Sequence, residues 1–247
     1  MNIDVFKLGG GESDNQAFLA QLARNLNGHP RPFVIIHGGG REVAQLQNRL
    51  GIQPSYVAGL RVTDGETLKM VEMVLVGSVN KRIVRTLFSG GLRAVGLSGA
   101  DMGLLRATRK TEVKGEPADL GFVGEISGVN SAFLRDLLAQ GLVPVIAPVA
   151  FGEDGHAYNV NADSVALAVA KALDAYSLTF VTDVPGVRDG SGQWLDQITT
   201  DAAQDAIQQG VIRDGMIPKI EAATGGVSAG IARVQIGGIE RATVVCG

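Results

Sequence analysis

Two kinds of pattern alternate along the chain. Short runs that are apolar at almost every position are IDVFKL (3–8), PFVIIHGGG (32–40), RAVGLSG (93–99), LVPVIAP (142–148), SLTFVTD (177–183) and ARVQI (232–236). Runs of this kind suit strands covered on both faces, as in a parallel sheet. Between them, apolar residues at helical spacing predict helices over 14–26, 40–50, 65–89, 130–140, 161–174, 199–209 and 217–230. Asp14 and Asn130 are the expected N-caps of two of these helices, and Gly90 and Gly141 the expected stops. The alternation predicts a three-layer α/β/α sandwich with a central, mainly parallel sheet and right-handed crossovers. A charged, turn-rich region from about 103 to 127, including RATRKTEVKGEP, reads as a β-hairpin interrupting the pattern. No fixed-period repeat or low-complexity linker divides the chain. The best seam lies near 173 and gives an expected N-terminal lobe, 1–172, and C-terminal lobe, 173–247.

The helix predicted over 65–89 carries more apolar surface than one buried stripe needs. LKMVEMVLVG spreads Met70, Val71, Met73, Val74, Leu75 and Val76 over more than one face. Either the helix is sandwiched within one chain, or it buries a second face against another subunit.

Composition narrows the class. At 247 residues the chain is long enough for a sizeable core, and 45% hydrophobic with 19% charged residues is ordinary for a globular protein. A net charge of −3 argues against nucleic acid as the main partner. The single cysteine, Cys246, excludes an internal disulfide. The N-terminus lacks a basic-then-apolar signal pattern, and GLVPVIAPVAFG is too short to span a bilayer, so the expectation is a cytoplasmic enzyme with no membrane partner. Glycine is the outlier: 34 residues, roughly twice the average usage of about 7%.

Those glycines mark the candidate chemistry. In KLGG (7–10), Lys7 ends an apolar run. It is either a strand-end lysine reaching solvent or a compact positive charge beside backbone amides that bind an anion. The order of residues excludes a Walker A loop, in which lysine follows the glycines. VIIHGGG (34–40) runs straight into a predicted helix, and free amides at a helix start make an anion site. His37 there reads as a structural, hydrogen-bonded histidine. No G-x-G-x-x-G follows, which counts against a dinucleotide-binding loop. In GLRVTD (59–64), Arg61 offers a fork suited to a carboxylate, and Asp64 is expected to cap the next helix. In YNVNADSV (158–165), Asn159 and Asn161 are expected on one face of an extended segment. Asp163 follows in the first helical turn, either as a partner of the helix dipole or as part of a polar pocket. Thr182 and Asp183 follow an apolar strand, where ligands bind in open α/β sheets. In RDGMIPKIEAA (213–223), Lys219 near a helix start is unfavourable without an anion.

The order KLGG, HGGG, GLRVTD, VNK (79–81), GFVGE (121–125), NVNAD, TDVPGV and DGMIPK resembles that of the N-acetylglutamate kinases, within the amino acid kinase family. The resemblance runs over nearly the whole chain. It implies ATP-dependent phosphorylation of the γ-carboxylate of N-acetyl-L-glutamate, the second step of arginine biosynthesis, with Mg2+ carried on the ATP phosphates and no metal-ligand residues. It implies that Lys7 and Lys219 contact the transferring phosphoryl group and that Asp163 holds both. Gly38, Gly39, Arg61 and Asn159 are then expected to bind substrate, and Gly9, Gly10, Thr182, Asp183 and Met216 to bind nucleotide. Two departures bear on assembly and on the nucleotide lobe. The first strand begins near residue 3, leaving no room for the hexamer-forming N-terminal helix of arginine-inhibited relatives, so an arginine-insensitive homodimer is expected. IGGIERATVVCG (236–247) passes directly into a last strand without the usual intervening helix, implying a shortened nucleotide lobe. A kinase of carrier-protein-linked 2-aminoadipate, from lysine biosynthesis, and a non-catalytic nucleotide-binding regulator are the rival readings.

Overall fold

The computed structural model describes residues 2–113, 115–213 and 215–247. Lys114 of the expected hairpin region and Asp214 of DGMIPK lie outside the described residues. The chain opens with β1 (Asp4–Leu8), α1 (Gly10–Asp14), α2 (Gln16–Leu26), β2 (Phe33–His37) and α3 (Gly40–Arg49). A hairpin of β3 (Tyr56–Val57) and β4 (Leu60–Arg61) precedes one continuous helical stretch. That stretch comprises α4 (Gly65–Val71), a π-helical segment (Glu72–Val79) and α5 (Asn80–Ser89). Then come β5 (Ala94–Leu97), β6 (Leu105–Arg109), β7 (Glu112–Val113), β8 (Glu116–Pro117), β9 (Gly124–Val129), α6 (Ser131–Ala139) and β10 (Val143–Ile146). β11 (Val149–Gly152), β12 (Ala157–Asn159) and α7 (Ala162–Ala172) lead to β13 (Ser177–Val181). The remainder holds β14 (Gln197–Thr199), α8 (Thr200–Gln208), α9 (Met216–Ser228), β15 (Val234–Gly237) and β16 (Ala242–Cys246).

Eight strands form one sheet in the order β14-β16-β15-β13-β1-β2-β10-β5. The six strands from β15 to β5 are mutually parallel. β16 turns back antiparallel to β15 through the Gly237–Gly238 turn, and β14 pairs parallel to β16. The sheet continues across the seam near 173, with β13 lying directly beside β1. A second sheet, β12-β11-β6-β9, contains the antiparallel β6–β9 pair expected between 103 and 127, with β7 and β8 as a small outer hairpin.

Period-two alternation makes the layers. Ile3, Val5, Val34 and Ile36 belong to a core shared with α6, α7, α8 and α9. Phe6, Leu8, Phe33 and Ile35 belong to the opposite core, shared with α2, α3, α4, the π-helical segment and α5. Successive side chains of a strand point to opposite faces, so strands apolar throughout need helices on both sides. The three-layer sandwich follows.

Helix boundaries fall close to expectation, with one correction. Asp14 does not cap the helix over 14–26. A one-turn helix, α1, takes residues 10–14, the chain becomes extended at Asn15, and the Asn15 side chain accepts from Phe18 N at 3.0 Å. Asn130 and Asp64 do cap their helices, accepting from Phe133 N and Thr67 N. The apolar surplus of the 65–89 stretch is mostly used within the chain. Met70, Val71, Val74 and Leu75 are buried and Val76 packs on the core, whereas Met73 and Phe88 are 59% and 70% exposed. The wider π-helical turn rotates each successive side chain by less than an α-helix does, which carries apolar residues onto more than one flank.

Candidate active site

Lys7 continues the face of β1 that carries Ile3 and Val5 beneath α7, and so emerges at the carboxyl end of the sheet beside the first turn of α7. There its Nζ lies 2.8 Å from Asp163 Oδ1, with side-chain exposures of 15% and 29%. Oδ1 is itself enclosed and accepts no well-aligned hydrogen bond among the described residues, so the contact is ionic. Asn161 caps α7, accepting from Asp163 N at 2.7 Å and from Ser164 N at 3.2 Å. The cap aims the helix start, and Asp163 with it, at Lys7.

Lys219, in the first turn of α9, does not meet Asp163. Its Nζ lies 3.6 Å from Glu12 Oε1, and Glu12 is the more enclosed partner, 12% exposed against 25%. The expectation that Asp163 holds both lysines is therefore corrected: among the described ion pairs, each lysine has its own carboxylate. Glu12 belongs to α1, which begins two residues after β1, so both pairs lie at the same end of that strand. Gly9 makes room for Glu12. A Cβ at position 9 would stand 2.3 Å from Glu12 Oε2.

The two glycine turns touch. A Cβ on Gly38 would lie 3.2 Å from Gly10 N, and one on Gly10 would lie 3.5 Å from Gly39 N. Gly39 is pressed from behind by the π-helical segment: a Cβ there would be 2.6 Å from Leu75 Cδ2 and 3.2 Å from Val79 Cγ2. Gly38 N donates to Leu8 O at 2.8 Å, while the amides of Gly10, Gly39 and Gly40 find no backbone acceptor among the described residues. Amides left free at helix starts form a cradle for anionic oxygens. Arg82 clamps the cradle, donating to Ser13 O at 2.7 Å and pairing with Glu42 of α3, which raises its pKa.

A cavity of ≈180 Å³ opens beside the cradle, lined in part by Gly38, Gly39, Tyr56, Arg61, Asn159 and Asn161. Arg61 is 8% exposed. Its Nη2 donates to Gly40 O at 2.7 Å, its Nη1 donates to Gln47, and its guanidinium stacks on the Tyr56 ring at 4.8 Å. Burial lowers its pKa from the ordinary arginine value, with Tyr56 pulling the other way. Asn159 Nδ2 donates to Thr63 Oγ1 at 3.1 Å, and Thr63 in turn donates to Arg61 O at 2.9 Å. Asn161 lines the same cavity as Asn159 and also caps α7.

The nucleotide candidates are more dispersed. Gly9 and Gly10 begin α1. Thr182 and Asp183 follow β13 and line a separate cavity of ≈290 Å³ with Pro185, Gly238 and Ile239. Met216 is not among its lining residues; it opens α9 and packs on the main core. Sequence reasoning missed Glu12, Tyr56, Thr63, Asn80 and the Arg82–Glu42 pair. Two of these residues lay inside motifs already singled out, Thr63 in GLRVTD and Asn80 in VNK.

The donor set of this site, two ammonium groups and free amides around one strand end, suits a polyanion such as a phosphate chain. Comparison with known proteins agrees. The profile of the Amino acid kinase family matches residues 3–237. An acetylglutamate kinase of Methanopyrus kandleri is 43% identical over 242 residues, covering 96% of each chain. One from Chloroflexus aurantiacus is 46% identical over 235 residues, covering 95% of this chain and 91% of that protein. Among solved structures, smu.665 of Streptococcus mutans superposes with a TM-score of 0.82 at 31% identity, covering 99% of this chain and 98% of that one. N-acetylglutamate synthase of Neisseria gonorrhoeae shares the fold, with a TM-score of 0.83 at 22% identity, covering all of this chain and 59% of that one. The chain belongs to the amino acid kinase family.

Proposed function

We infer that the chain transfers the γ-phosphoryl group of ATP to the γ-carboxylate of N-acetyl-L-glutamate, giving the acyl phosphate of the second step of arginine biosynthesis. The observation that carries this reading is the meeting of Lys7–Asp163, Lys219–Glu12 and the glycine amides at one end of β1, beside the Arg61–Asn159 cavity. The names of the full-length relatives support the choice of acceptor.

The chemistry needs no base. The attacking carboxylate is ionised at neutral pH because its ordinary pKa is about 4. The obstacle is repulsion between two anions. Lys7 and Lys219 place positive charge around the transferring group, and the amides of Gly10, Gly39 and Gly40 direct N–H dipoles at its oxygens. Mg2+ carried on the ATP phosphates supplies further charge neutralisation. Arg61 and Asn159 hold the acceptor, with Arg61 oriented by Gly40 O, Gln47 and Tyr56. Asp163 and Glu12 keep the ammonium groups in place before the phosphate chain arrives. In this reading the lobe before 173 binds the acceptor and the lobe after it binds nucleotide through Thr182 and Asp183. The enzyme acts in the cytoplasm as a homodimer, its exposed Met73 and Phe88 contributing to the subunit contact.

An ADP-release or hydroxamate assay tests the reading. N-acetylglutamate is expected to support turnover far above glutamate, aspartate or carbamate. Lys7→Ala and Lys219→Ala are each expected to lower kcat by about 10²-fold or more, with little change in ATP affinity. Unchanged turnover in either folded variant refutes the assignment.

A further inference from the structure

His37 is among the buried titratable side chains that the mechanism above leaves unused. His37 ends β2 with no exposed surface, and Asn80, at the junction of the π-helical segment and α5, is equally enclosed. Their hydrogen bonds admit one assignment. Asn80 Nδ2 lies 2.9 Å from the Val145 carbonyl, which can only accept, so that atom is a donor. The same nitrogen lies 3.1 Å from His37 Nε2, which must then be the bare, accepting nitrogen. The proton is left on Nδ1, 2.8 Å from the Gly38 carbonyl, again an obligate acceptor. Asn80 Oδ1 is accounted for by Lys81 Nζ at 3.2 Å. Burial holds the imidazole pKa down at about 4, the Gly38 carbonyl opposing and Arg82 and Lys81 adding to the fall, so the ring is neutral near pH 7.

This matters because of the peptide on which the Nδ1–H bond lands. The Gly38 carbonyl and the Gly39 amide are two ends of one planar unit and point in opposite directions. Glycine on both sides of that unit imposes almost no preference on its rotation. One contact does impose one: the His37 N–H holds the Gly38 carbonyl, while Leu75 and Val79 fill the space where a Cβ on Gly39 would stand. With the carbonyl drawn to the ring, the Gly39 N–H faces away from it, at the junction with the Gly10 turn.

We propose that His37, its tautomer set by Asn80, is a positioning residue that locks the Gly38–Gly39 peptide so that the Gly39 amide stays turned toward the reacting phosphoryl and carboxylate oxygens. The inference rests on the assignment of the glycine cradle to those oxygens. It explains why a buried histidine ends β2, and why the helical wall changes to a π-helical turn next to Asn80: that turn brings Leu75 and Val79 onto Gly39 and Asn80 onto His37.

The test compares two substitutions. His37→Asn retains an N–H donor close to the Nδ1 position, whereas His37→Leu removes it. His37→Leu is expected to lose about 10²-fold in kcat, the scale of one oxyanion donor, with the KM for ATP nearly unchanged. His37→Asn is expected to recover most of that loss. Nitrogen NMR of the labelled wild-type imidazole is expected to show Nδ1 protonated and Nε2 bare, a readout that does not depend on either variant folding. Full turnover in His37→Leu, an equal loss in both variants, or a proton on Nε2 overturns the proposal. Lys7→Ala separates the two levels: if it is inactive while His37→Leu is fully active, the positioning role falls and the assigned reaction stands.

Discussion

At the scale of single residues, the site is built by pairing each charge with a partner of known geometry. Lys7 is a costly residue to place on a strand in the middle of a sheet, and Asp163 at 2.8 Å offsets that cost. Lys219 has Glu12, whose carboxylate lies where a Cβ on Gly9 would point. His37 makes a different contribution, one that pH exposes. Its pKa is about 4 when folded and 6.5 in a solvated chain, so between those values the unfolded state binds a proton that the folded state does not. Stability from this residue is therefore complete above pH 6.5 and declines as pH falls toward 4, by about 3 kcal/mol in all. Denaturation at pH 7 and at pH 4.5 is expected to show a smaller acid loss in His37→Asn than in the wild type. Parallel losses in the two proteins would show that His37 titrates normally.

At the scale of elements, the hairpin beside the cavity carries a local conflict. β3 and β4 are joined by two residues, with Tyr56 opposite Arg61 and Val57 opposite Leu60. Such a connection favours positive φ at both central positions, and the chain shows φ 46° at Ala58 and 81° at Gly59. Glycine takes this conformation freely, but alanine does so at a cost of roughly 1–2 kcal/mol. Asparagine tolerates it far better. Ala58→Asn is expected to stabilise the protein by about 1 kcal/mol in urea unfolding, with kcat unchanged. A neutral or destabilising result would mean that the hairpin is held by Tyr56 on Arg61 rather than by its turn. The long helical stretch shows the reverse case, in which an irregular element is well supported. Its π-helical segment buries Val74, Leu75 and Val79 and supports the HGGG turn directly.

At the scale of the whole molecule, one sheet unites the two ends of the chain. β13 lies beside β1 and carries the Thr182–Asp183 loop, so the loop and the Lys7 turn share one edge. Two cores, one on each face, hold this arrangement. Among the large apolar side chains that the single chain leaves more than half exposed are Met73 and Phe88 of the 65–89 stretch. Sedimentation at micromolar concentration is expected to give a dimer, and Met73→Lys with Phe88→Lys is expected to shift it to monomer. A monomeric wild type would remove the homodimer from the proposed function. Among the described residues, no helix is long and apolar enough to cross a membrane.

Periodicity alone determined the main strands and the long helices, but not α1, the β3–β4 hairpin or β14. Apolar runs with glycine or proline at their ends are local signals, and IDVFKL, PFVIIHGGG and SLTFVTD became β1, β2 and β13 with little displacement. The chemistry was half legible for the same reason: Lys7, Arg61, Asp163 and the glycines stand in local contexts that are hard to explain as packing. Partner choice was not legible. Glu12 meets Lys219, Arg82 meets Glu42, and Asn80 reaches His37 across 43 positions, each because sheet order brings distant segments to one place. The break of the long helix into a π-helical turn was equally hidden, since it answers to the glycine turn packed behind it. A residue's propensity is carried in its neighbours along the chain, whereas its electrostatic partner is a property of the assembled sheet, and only the tertiary structure decides that.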